Sequence, residues 1–137
     1  MATAGYSGTP LLKKLGIKED SRVLLLNAPD NYFSLLGSPL TGQLCGKGET
    51  PDLVHLFAGS QKEYETGLRS VRPFCKKKPA LAVWVSWYKK SSGIATDITE
   101  NSIRDYALAN DWVDIKVCAV SELWSGLKLV VPVAKRK

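Results

Sequence analysis

No apolar run in this chain approaches the roughly 18 residues that a membrane-spanning helix requires. Met1-Ala-Thr-Ala-Gly-Tyr6 has neither the basic start nor the apolar centre of a secretory signal, so the expected location is cytoplasmic. Cysteine is sparse and unpaired in pattern: Cys45, Cys75 and Cys118 are odd in number and form no C-x-x-C, which argues against a disulfide framework and a structural zinc site. Cys118, inside an apolar strand pattern, reads as core. Histidine occurs once, as His55, in the middle of a strand pattern where a general acid or base reaches substrate poorly. With no second histidine, no paired carboxylates at useful spacing and no credible base for a serine, hydrolase and metal-site chemistry lack their minimum parts.

What remains is an ordinary globular composition, 45% hydrophobic and 23% charged over 137 residues. That length suits one domain able to bury roughly 70% of its unfolded surface: an arm and short helix over 1–20, an α/β core over 21–133 and a basic tail over 134–137. The net charge of +6 traces to two runs, Lys76-Lys77-Lys78 and Lys135-Arg136-Lys137. Both fall where solvated lysines are commonplace, in a loop and at the end. With no basic helix face and no interleaved aromatics and arginines, this pattern weighs against nucleic acid as a partner. A protein partner stays open.

Thr9-Pro10-Leu-Leu-Lys-Lys-Leu-Gly16 has the cap, first-turn proline and terminal glycine of a short helix. Gly5 to Gly8 before it reads as a surface arm anchored by Tyr6. Arg22 to Asn27, Asp52 to Ala58 and Ala80 to Trp87 are near-continuous apolar runs, the pattern of parallel strands buried on both faces. Tyr64, Leu68, Val71 and Cys75 recur at helical spacing and predict a helix from Gln61 to Arg72, stopped or kinked by Pro73. A second helix is predicted over Ile98 to Asn110, with Asp97 and Glu100 as a capping box.

Val113 to Val120 and Leu127 to Val133 close the chain as an antiparallel hairpin around Ser121 to Gly126. Ser38 to Thr50, with four turn-prone glycines and prolines, has room for one short edge strand. These elements predict a three-layer α/β sandwich with a mostly parallel sheet ending in that hairpin.

In such a sheet a ligand is expected beyond the carboxyl ends of the strands. The first strand leads into Asn27-Ala-Pro-Asp30, which has no glycine, and Pro29 lacks the N–H of a phosphate cradle. Asn27 and Asp30 either close a turn and cap a short helix over Tyr32 to Leu36, or face the crevice. Ser60 follows the second strand as a helix cap or a hydroxyl for a ligand. After the third strand, Trp87, Lys89, Lys90, Thr96 and Asp97 share one long loop beside a helix start, a setting suited to an anion. Trp124 reads as a lid over the crevice or as a plug between sheet and helix, packing being the default.

Ala4 to Ile17, together with Leu81 to Trp87, Lys89-Lys90, Thr96-Asp97, Lys116 to Val120 and Trp124 to Leu129, resembles a family of small bacterial proteins of unknown function. The resemblance implies a Rossmann-like, methyltransferase-like fold and no established activity. Element order is also similar to the later part of S-adenosylmethionine-dependent methyltransferases, which end in a reversed hairpin; the glycine-free turn and the lack of an acidic residue after a second strand depart from their pattern. The leading expectation is a non-catalytic or accessory binder of a small anionic metabolite, its cofactor unspecified. The alternatives are a methyltransferase-like enzyme with a degenerate cofactor motif, or an interaction or nucleic-acid-associated protein.

Overall fold

The computed structural model describes residues 11–46 and 48–135. The expected arm at Gly5 to Gly8, the Thr9-Pro10 helix start and the last two basic residues lie outside them. In chain order the elements are α1 (Leu11–Lys14), β1 (Val23–Leu26), α2 (Tyr32–Leu36), β2 (Leu53–Phe57), α3 (Gln61–Val71), β3 (Ala82–Tyr88), α4 (Glu100–Ala109), β4 (Val113–Ala119) and β5 (Trp124–Val130). They form a mixed α/β fold around one five-stranded sheet of order β1-β2-β3-β5-β4. The first three strands are parallel, and β5 slots antiparallel between β3 and β4. The predicted sheet with its closing hairpin is therefore present, with β5 inside and β4 at the edge.

Alternation along the central strands sorts side chains between two layers. Val54, Leu56, Val83, Val85, Leu127 and Leu129 join Tyr64, Leu68 and Val71 of α3 and Ile103 and Ala107 of α4 in one core. The spacing i, i+4, i+7 in α3 turns those three residues to the sheet, and each fully buried aliphatic side chain contributes about 1.5–3 kcal/mol. Gly67 lets α3 approach closely, since a Cβ there would come 2.6 Å from a Leu56 methyl. Arg72 to Lys76 continues as a 3-10 helix with Pro73 in its first turn, which is where the predicted helix stops.

The other face carries Leu53, Phe57 and Trp84 against Leu11, Leu15, Tyr32 and Leu36. Trp84, fully buried, donates its indole N–H to the Leu15 carbonyl at 2.9 Å, which ties α1 to the middle of the sheet. Its ring lies over Gly126, where a Cβ would sit 3.3 Å from the indole and 3.0 Å from Val120.

Two strand expectations need correction. In β1 only Val23 is fully buried, and Leu24 to Leu26 are half-buried, because its outer edge meets only a one-residue parallel bridge at Leu44. That bridge, held by Val23 N–H to the Gln43 carbonyl and Cys45 N–H to the Val23 carbonyl, both at 2.9 Å, is the short edge pairing that Ser38 to Thr50 had room for. In β4, Ile115 and Val117 are exposed and Cys118 is only half-buried, since the strand lies at the edge with a register shift between Asp114 and Lys116.

His55 is fully buried and bridges two hydroxyls: the Tyr32 hydroxyl lies 2.9 Å from Nδ1 and Ser86 Oγ 2.7 Å from Nε2. Phe57 stacks on the ring at 4.3 Å. Burial pushes the imidazole down to about 3, because no carboxylate partners the charged form there. The native protein thus holds His55 neutral while the unfolded chain protonates it below about 6.5. Its contribution to stability is complete above that pH and is lost as pH falls toward 3. Urea unfolding between pH 6.5 and 5, above most carboxylate titration, is expected to lose up to about 1.4 kcal/mol per pH unit; His55→Gln flattens this slope. An unchanged slope in the variant contradicts the assignment.

Candidate functional site

The carboxyl ends of β1, β2 and β3 meet at one edge. Leaving β1, Asn27 adopts φ 58, a left-handed conformation that asparagine tolerates better than most side chains. Its side-chain amide donates to the Phe57 carbonyl at 3.3 Å, tying the end of β1 to the end of β2. Asparagine thus makes the turn for which glycine was expected. Neither Asn27 nor Asp30 caps α2: Asn31 occupies the cap position without a side-chain bond, and the single-turn helix closes on Gly37 at φ 79. Asp30 is exposed.

The start of α3 is satisfied by the protein's own oxygens. Ser60 accepts from Glu63 N–H at 3.2 Å, Glu63 Oε1 accepts from Gly59 N–H at 2.7 Å, and Asp97 Oδ1 accepts from Gln61 N–H at 2.8 Å. Thr96 donates its hydroxyl to the Gly59 carbonyl at 2.9 Å, and Ser102 Oγ lies 2.8 Å from Gln61 Oε1. The β3–α4 connection is thereby fastened to the β2–α3 turn. An anion at this helix end would have to displace two carboxylates that already occupy its positive pole. The capping box of α4 is correspondingly Thr99 with Ser102, two residues past the expected Asp97 and Glu100, because Asp97 is engaged across the cleft.

Four of the expected residues come together. Trp87, Lys89, Lys90 and Thr96 line a hollow of about 730 Å³, with Tyr88, Thr99, Glu100 and Ser125 completing the wall. Lys89 N–H donates to the Leu123 carbonyl at 2.8 Å, and Lys90 opens a short 3-10 turn that ends on Gly93 at φ 75. Among the described residues no carboxylate pairs with either ammonium. Glu100 faces Arg104 at 2.6 Å, so its charge is partly countered.

Asn27 and Ser60 instead line a separate hollow of about 320 Å³ beside α3, with Leu56 and Gly67 in its wall. Between the two lies a mouth of about 260 Å³ where Asn27, Gly59 and Glu63 face Tyr88 and Trp124. Asp30 and Asp97 line none of these three.

Sequence reasoning missed Glu63, Tyr88 and Ser125. Tyr88 ends β3, one residue beyond the predicted strand, and stacks on Trp124 at 4.2 Å; Trp124 in turn meets Phe57 edge-on at 4.9 Å. Trp124 is buried as the first residue of β5 and is a plug. The i, i+4 spacing of Gly59 and Glu63 was the available signal for a side chain folding back on the turn.

Among solved structures the chain is similar to a protein in the NADB-Rossmann superfamily from Streptococcus agalactiae, with TM-score 0.52 and 9% identity over 93% of this chain and 70% of that one. It is similar to an uncharacterized protein from Listeria monocytogenes serotype 4b, with TM-score 0.50 and 10% identity over 91% of this chain and 68% of that one. A chain of a fibrillarin/Nop5p complex aligns with TM-score 0.56 and 12% identity over 96% of this chain and 91% of that one. At these identities the likenesses show the fold alone, which is Rossmann-like. No protein-family model and no curated protein matches the chain.

Asp97→Ala leaves Gln61 N–H without its acceptor and leaves Thr96 as the side chain still fastening the β3–α4 connection to the Gly59 turn. Chemical denaturation is expected to show a loss of about 1–2 kcal/mol, with amide exchange rising at Gln61. Full stability in the variant contradicts this role.

Proposed function

We propose that this domain binds a small anionic metabolite in the hollow beside Lys89 and Lys90, as a non-catalytic or accessory binder. One observation carries the reading: Lys89 and Lys90, without ion-pair partners among the described residues, line a single hollow beyond β3 together with Thr99 and Ser125. Lysine and hydroxyl donors suit a phosphate or carboxylate, and the flanks of Trp87 and Tyr88 suit a ring attached to it. The sealed position of His55 favours binding over acid–base catalysis, since the imidazole lies under Tyr32 and Phe57.

A second reading, a methyltransferase-like enzyme with a degenerate S-adenosylmethionine motif, draws support from the left-handed turn at Asn27 and the aromatic mouth formed by Tyr88 and Trp124. The residues present fit that cofactor's carboxyl end poorly. Pro29 offers no N–H, and the N–H of Gly59 is taken by Glu63.

Adenosine monophosphate, inorganic phosphate and S-adenosylmethionine serve as probes in calorimetry and amide chemical-shift mapping. For the nucleotide, shifts are expected at Lys89, Thr96 and Ser125, with affinity weakened about tenfold in Lys89→Gln/Lys90→Gln, the scale of one lost charge-assisted hydrogen bond. Shifts confined to Asn27, Gly59 and Tyr88, with S-adenosylmethionine alone binding, would replace the first reading with the second. Silence toward all three probes overturns both.

A further inference from the structure

At the opposite end of the sheet, before β3 and after β5, the fold joins what the sequence keeps apart. Lys76, from the first basic run, and Lys135, from the second, line one open hollow of about 980 Å³ with Arg69 and Arg72. Among the described lining residues Asp111 is the one carboxylate, and its contact with Lys135, at 3.5 Å, is more than half exposed on both sides, so it competes weakly with another anion. Arg69 and Lys76 have no ion-pair partner among the described residues, and Lys77 beside them is exposed and likewise without one.

Arg72 is held in place: its guanidinium lies 5.5 Å from the centre of the Trp112 ring and donates to the Asp111 carbonyl at 3.4 Å. Arg69, Arg72 and Asp111 also border a second, smaller hollow of about 290 Å³, whose other wall includes Tyr106, Asn110 and Trp112. A fixed guanidinium thus stands between a wide basic basin and a narrow aromatic one. The wide basin suits a run of phosphates. The narrow one is walled by Tyr106 and by the Asn110 amide, which donates one N–H to the Tyr106 carbonyl at 2.8 Å and has its oxygen and other N–H to meet the edge of an unstacked base.

We infer that this end of the molecule binds single-stranded nucleic acid, with phosphates on Arg69, Arg72, Lys76 and Lys135 and one base in the hollow beside Tyr106. A duplex keeps its bases stacked and leaves the narrow hollow unused. An acidic peptide has no use for it either. The sequence pattern weighed against nucleic acid because it shows no basic helix face and no interleaved aromatics and arginines; folding places a residue of each basic run on one surface, with Arg69 in the last turn of α3 and Arg72 just beyond it.

Fluorescence anisotropy with oligouridylate and oligothymidylate of about 12 nucleotides, titrated at several salt concentrations, tests the proposal and separates RNA from DNA. Binding is expected to weaken with salt along a log–log slope of about −2 to −3, for three to four phosphates released from a single strand. Arg69→Gln/Lys76→Gln/Lys77→Gln lowers affinity at least about tenfold and flattens that slope. Tyr106→Leu weakens binding without changing the slope. Photo-cross-linking of wild-type protein to 4-thiouridine oligonucleotide, expected on the peptide containing Tyr106, keeps the base site testable if Tyr106→Leu fails to fold. Wild-type affinity in the triple variant, or no binding at low salt, overturns the proposal. So does equal affinity for polyglutamate or a duplex of the same charge, or cross-links mapping only to the Lys89–Thr96 loop.

Discussion

Burying β2 and β3 on both faces is the constraint from which the rest of the architecture follows. Every residue of β2 and all but the last of β3 lie out of water, so the sheet needs a helical layer on each side and every inward polar group needs a partner. Trp84 meets that need by donating to Leu15, and His55 meets it between Tyr32 and Ser86. These bonds recruit α1 and α2 to the second face. Without them that layer would rest on two very short helices, one of four residues and one of five.

The same economy of partners shapes the edge at the carboxyl ends of β1, β2 and β3. In an α/β sheet the start of a helix beyond a strand is a ready anion site, and here α3 has its donors at Gly59, Gln61 and Glu63 taken by Glu63, Asp97 and Ser60. The open polar ground is displaced one crossover along, to the connection between β3 and α4, where Lys89 and Lys90 stand without carboxylate partners among the described residues. The fold is Rossmann-like, while its first turn runs through Asn27 and its second through a self-capped helix start.

Regular elements were legible because their signals are local. The period of Tyr64, Leu68 and Val71 set α3, the apolar runs set β2 and β3 to within two residues, and Tyr32 to Leu36 formed the short helix expected of it. β1 misled for a physical reason: an apolar run records that water is excluded, not how many neighbouring strands exclude it, and Leu44 covers a single residue of its edge. The capping box of α4 misled because Asp97 had a stronger claim from Gln61, 36 positions away.

Among the candidate site residues, Trp87, Lys89, Lys90 and Thr96 were legible as a group because one loop carries them. Asp97 shares that loop but gives its carboxylate to Gln61 N–H, and Asn27, Asp30 and Ser60, grouped with them by topology, do not line the same hollow. By itself the sequence determined the fold class, the helix and strand types, and the absence of a glycine-rich turn, since each depends on residues close together in the chain. Tertiary structure decided the position of β5 inside the sheet, the neutral state of His55, which carboxylates cap α3, and the meeting of Lys76 with Lys135. These are contacts between distant segments, and only the closed core brings such segments within bonding distance.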